Sequence, residues 1–124
     1  MGFVAVGAIF GFLSVALGAF ATHVLQGHLP AGMLDVFHTG AEYQMYHALA
    51  LLAVGILAHL DIGGRLVRAA GWLFAIGIVL FSGSLYVLAT SGVTVLGAVT
   101  PFGGVCLLLG WVFLIVAAVQ PARR

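Results

Sequence analysis

Four long apolar stretches, near residues 3–25, 41–60, 67–90 and 101–119, occupy most of this chain, and its polar residues gather in the connections or at the ends of the stretches. Each stretch is close to the roughly 20 residues that a helix needs to cross a hydrocarbon core of about 30 Å. Backbone inside that core has no water to bond, so a spanning segment is either a helix or part of a closed barrel. Barrel strands are short and alternate apolar with polar residues, and these runs do neither. Only 6% of residues are charged and 64% are hydrophobic, against about 25% charged in soluble domains. The expectation is an all-α membrane protein. Its fold is a four-transmembrane-helix bundle, one integral membrane domain over residues 1–124, with a short interfacial amphipathic segment between helices 1 and 2.

Net charge is +1, so the lipid bilayer is the expected surrounding and no nucleic-acid partner is implied. Arg65 and Arg68 lie between the second and third stretches, and Arg123 and Arg124 end the sequence. In a protein with four spans these two places share one side of the membrane. The positive-inside rule makes that side, with both termini, cytoplasmic. Cys106 is the single cysteine and can form no internal disulfide.

The first stretch lacks a basic n-region and exceeds the length of a signal-peptide core, so it is expected to remain as a helix. Gly7, Gly11, Ser14 and Gly18 form a small-residue stripe along it, suited either to packing inside the bundle or to a dimer seam. Residues 26–40 are too polar to span. Met33, Leu34 and Phe37 share one face there, which predicts an amphipathic segment lying at the outer interface. Thr39 and Glu42 have the spacing of a capping box at the start of the second span. For the fourth span, Thr100 is the expected N-cap with Pro101 at N1; a longer helix from near Val93, kinked at Pro101, is the alternative.

Folding the spans alternately brings polar residues together at one end: His23, then Glu42, Tyr43, Gln44 and His47, then Ser82, Ser84 and Tyr86, then Thr100. These are the candidate ligand-binding residues, lining a polar pocket of the outer leaflet with 26–40 as its lid. Ionisable groups in a spanning segment are functional candidates by default. The competing reading is that His47 ties helices together by bonding Tyr86, Ser82 or a carbonyl. His23 and His47 could meet across helices to hold haem or a metal, but no histidine pair has the spacing of a two-His zinc site and no cysteine assists. No nucleophile sits in a strand–turn setting, so no catalytic residues are assigned.

Tyr43-Gln44-Met45-Tyr46-His47-Ala48-Leu49-Ala50-Leu51-Leu52, Leu80-Phe81-Ser82-Gly83-Ser84-Leu85-Tyr86 and Leu96-Gly97-Ala98-Val99-Thr100-Pro101-Phe102-Gly103-Gly104 resemble the small bacterial membrane family typified by YgdD and YwdK, which has TMEM-type eukaryotic relatives. Gly18-Ala19-Phe20-Ala21-Thr22-His23 resembles that family's first-span motif, with Ala21 and Thr22 as departures. The resemblance implies four helices and a bacterial inner (cytoplasmic) membrane or mitochondrial setting, and brings no established activity. Three functions stay open. The first is a non-catalytic binding or accessory protein for a lipid, quinone or partner helix, alone or as a homo-oligomer. The second is an oligomeric transporter or channel for ions or small solutes. The third is a redox protein with haem or metal on His23 and His47.

Overall fold

The computed structural model describes residues 1–121, so Arg123 and Arg124 lie outside the described residues. Four helices long and apolar enough to cross a membrane follow one another. Helix α1 is Gly2–Phe20 and runs on into a π turn at Ala21–Leu25; α2 is Ala31–His59; α3 is Gly64–Ser91; α4 is Thr100–Val119, preceded by a 3-10 turn at Thr94–Ala98. Each helix covers one of the apolar stretches, but α2 begins at Ala31, ten residues before the second stretch, and α4 begins at Thr100, one residue before the proline, instead of running through it from Val93.

The segment before residue 41 is a correction. It is not a separate interfacial piece but the first turns of α2, whose N-cap is Pro30. Thr39 is mid-helix and its hydroxyl donates back to the Asp35 carbonyl at 2.9 Å, so no capping box forms with Glu42. Gly40 does not break the helix because tertiary contact fixes it: a Cβ there would sit 2.9 Å from the Tyr86 ring. At 29 residues, α2 is about 44 Å long. It overshoots the hydrocarbon core by roughly three turns, and those turns carry Asp35 and His38.

Between α2 and α3 the chain reverses through Asp61, Gly63 and Gly64, all at positive φ. Two glycines and a short polar side chain are the residues that tolerate this conformation.

Each helix packs mainly on its neighbours in sequence: α1 on α2, α2 on α3, α3 on α4. Among the described residues α1 and α4 do not pack on each other, so the bundle is an open array with α1 and α4 at its edges. The core lies in the middle, where Leu51, Val54, Ala70 and Phe74 are fully buried. A second, smaller cluster of Ala21, Phe37 and Ala89 joins the π turn, the start of α2 and the end of α3.

Close approach is set by glycine notches. On α3 and α4, Leu107 fills the notch at Gly77, the Phe74 ring fills that at Gly110, and the Phe81 backbone covers Gly103, where a Cβ would meet Phe81 N at 2.3 Å. On α1 and α2, Gly7 lies against the Ala48 carbonyl and Gly55 against Val4. The stripe expected on α1 is thus split. Gly7 and Ser14 are buried against α2, whereas a Cβ on Gly11 would only touch Ala48 at 4.0 Å and one on Gly18 would touch nothing.

Candidate functional site

Gln44 is the hub of the polar residues. Its side-chain amide donates to the Phe10 carbonyl of α1 at 2.8 Å, and its Oε1 accepts the Tyr86 hydroxyl of α3 at 2.5 Å. On either side of it, two serines use spare lone pairs of α2 carbonyls: Ser14 donates to Ala41 O and Ser82 to Gly40 O, each at 2.7 Å. The small residues Gly40 and Ala41, both buried, let α1 and α3 come near enough for this. One thin section of α2 is therefore clamped from both sides.

His47 lies one turn further along. Its Nδ1 is 2.7 Å from the Tyr43 carbonyl, and its Nε2 is 2.9 Å from the indole nitrogen of Trp111 on α4. A carbonyl can only accept and an indole N–H can only donate. Both contacts are met at once only by the neutral tautomer with the proton on Nδ1. Phe74 and Trp111 pack around the imidazole at ring-centre distances of 5.5 and 5.7 Å. Both ring nitrogens are engaged, so His47 could ligate a haem or metal only by giving up a hydrogen bond. His23 stands on the exposed side of the π turn. Among the described residues no group of three or more His, Cys, Asp or Glu side chains converges.

Ser84 and Thr100 join α3 to α4, with their hydroxyls 2.6 Å apart. Each hydroxyl also has a carbonyl acceptor on its own side, Phe81 O at 2.8 Å for Ser84 and Leu96 O at 3.3 Å for Thr100, so either can donate to the other. Thr100 is not the N-cap; Val99 holds that position and makes no side-chain capping bond. Glu42 and Tyr43 are exposed on α2, and the Tyr43 ring stacks on Phe81 at 5.1 Å.

The predicted polar residues thus separate into two groups. Gln44, His47, Ser82, Ser84, Tyr86 and Thr100 converge as interhelical bonds, joined by Ser14 from the packing stripe. His23, Glu42 and Tyr43 face outward. Among the described residues no buried side-chain nitrogen or oxygen lacks a partner. Sequence reasoning missed Trp111 and the Phe10 carbonyl. A tryptophan inside a span was a usable signal, since an indole N–H away from water needs an acceptor; a main-chain carbonyl carries none.

Two cavities lie away from this network. One, of about 590 Å³, is an apolar groove along α1 and α2 lined by Gly7, Ala8, Gly11, Phe12, Ala48 and Leu49 among others. The other, of about 570 Å³, opens where α1, α2 and α3 meet near the Asp61 turn.

Residues 17–104 match the family described as "Protein of unknown function (DUF423)". The chain is 50% identical over 118 residues to UPF0382 membrane protein YwdK of Bacillus subtilis (strain 168), covering 95% of this chain and 96% of that protein. It is 44% identical to UPF0382 membrane protein SAB0533 of Staphylococcus aureus, covering 93% of each. A UPF0382 membrane protein of Haemophilus influenzae is 48% identical, covering 86% of this chain and 85% of that one. No solved structure matches the chain.

Proposed function

Because the chain belongs to the DUF423 family, whose relatives are membrane proteins, we propose that it works within the bilayer as a non-catalytic accessory protein that docks a helix of a second membrane protein. The observation that carries this reading is the groove between α1 and α2. Its floor is made of Gly7, Gly11 and Ala48, its walls of Phe12 and Leu49, and its surface is almost wholly apolar. Small residues at such a place let another helix backbone come close, where van der Waals contact drives association in lipid. Gly11 has room above it, and α1 is an edge helix with little of its surface covered.

The polar network supports the same reading. Its hydroxyls, amide and imidazole are spent on one another and on carbonyls, an arrangement that holds helices and leaves no nucleophile–base pair poised for reaction. A conducting path would need polar groups through the full depth. The half of the array towards the Asp61 turn is built instead from residues such as Leu51, Val54, Ala70 and Phe74. In this proposal the Asp61 turn and both termini lie in the cytoplasm of a bacterial cell, with the protein in its inner membrane; the positive-inside rule applied to Arg65 and Arg68 supports that orientation.

Native mass spectrometry of protein released from nanodiscs tests the reading. A complex with a second polypeptide is expected for the native chain and not for Gly11→Leu, which fills the groove while leaving the α1–α2 seam intact. A native chain that flies alone at every nanodisc composition would refute it.

A further inference from the structure

The cavity near the Asp61 turn differs in kind from the α1–α2 groove. Its floor is apolar, formed by Phe3, Val6 and Ala75, and its rim carries His59, Arg68 and Trp72. His59 is the last residue of α2 and Arg68 lies just over a turn into α3, so the rim stands at headgroup level. Trp72 is 63% exposed and meets the Phe3 ring edge-on at 5.7 Å. An indole with one side on an apolar wall and the other free is the usual occupant of a membrane–water boundary.

The charge balance at this rim favours an anion. Arg65 and Arg68 stand on the first turns of α3, and Asp61 is the acid of the same turn. Asp61 takes only one contact from Arg68, at 3.5 Å, with both side chains largely exposed. Such a pair is worth little and holds Arg68 weakly. Most of the guanidinium's five N–H donors therefore stay available, in a fork that matches phosphate oxygens. His59, at the end of α2, lines the same cavity and brings a second side chain with an N–H donor.

The geometry points to a site for an anionic phospholipid at the junction of α1, α2 and α3. Arg68 and His59 hold the phosphate, Trp72 borders the glycerol region, and one acyl chain enters between Val6 and Ala75. Basic pockets between spanning helices on the cytoplasmic side are suited to such headgroups. This site does not depend on helix docking at the α1–α2 groove.

The experiment is native mass spectrometry of the full chain from micelles carrying equal phosphatidylglycerol and phosphatidylcholine. The native protein is expected to retain one phosphatidylglycerol in preference to phosphatidylcholine. Arg68→Gln, a change at an exposed position, should lower that retention about fivefold. Ala75→Phe should abolish it by filling the floor, with charge unchanged. Excess glycerol phosphate should not displace the bound lipid, because the apolar floor contributes only to an acylated ligand. Equal retention of the two lipids, or unchanged retention in Arg68→Gln, would overturn the proposal. Displacement by glycerol phosphate would overturn it too, by assigning the site to a soluble phosphate.

Discussion

The indole N–H of Trp111 reaches Nε2 of His47 across 2.9 Å, joining α4 to α2 in an array where α4 otherwise packs on α3. The imidazole is held from behind by the Tyr43 carbonyl, which fixes its tautomer and aims the lone pair at the indole. That hydrogen bond links α4 to α2, beyond the packing of α4 on α3.

A double-mutant cycle on His47→Phe and Trp111→Phe measures that tie. The expected coupling is about 0.6 kcal/mol and no more than about 1.7 kcal/mol, the average and the maximum for interhelical hydrogen bonds in lipid. Unfolding in bicelles followed by steric trapping reads it. Pairing His47→Phe with Tyr86→Phe should give clearly less coupling, because Tyr86 bonds Gln44 and shares no partner with His47. Equal coupling in both cycles would mean that the two residues act in one network.

Gln44→Leu is expected to destabilise more than Tyr86→Phe. The first leaves the Tyr86 hydroxyl unpartnered and also releases the Phe10 carbonyl, while the second removes one hydroxyl and leaves the bond to α1 in place. The loss for Tyr86→Phe should be on the order of 1 kcal/mol. The same unfolding assay compares the two, and a reversed order would remove Gln44 from the centre of the clamp.

How far the sequence carries the fold is visible in three places. The spans were legible because length and hydropathy alone decide them in a bilayer. Thr39 and Glu42 misled because a capping box is a local pattern. Pro30, nine residues earlier, supplies a start that the contact of Gly40 with Tyr86 allows the helix to keep. The site was half legible. Alternate threading brings Gln44, Ser82 and Tyr86 to one end whatever the helix order. Which residues face inward depends on rotation about each axis, and in lipid both faces are apolar, so His23 and Glu42 could not be told apart from Gln44. The same ambiguity hid Gly77, Gly103 and Gly110, whose role appears only once α3 and α4 are seen as neighbours.

The glycines give a contrast within one residue type. Gly103→Ala places a Cβ 2.3 Å from a backbone nitrogen of α3 and is expected to cost about 1–3 kcal/mol, the range for overpacking. Gly11→Ala meets only ordinary contact and should leave the thermal midpoint unchanged. Differential scanning fluorimetry of both variants in one detergent checks this; equal losses would contradict the packing described.

Thr39→Val should change stability by no more than about 0.5 kcal/mol, the range for exposed substitutions away from a structural device. A capping residue would lose about 1 kcal/mol. Far-ultraviolet circular dichroism with thermal melts separates the two. A clear loss of helix would restore a break before residue 41.

The most direct measurement is site-specific photocrosslinking in living cells, with a photoreactive side chain replacing Leu49 on the groove wall or Val112 on the exposed face of α4. Docking of a partner helix on α1 and α2 predicts one discrete polypeptide adduct from position 49, absent at position 112 and lost when Gly11→Leu fills the groove. Crosslinks to lipid alone from both positions would contradict it.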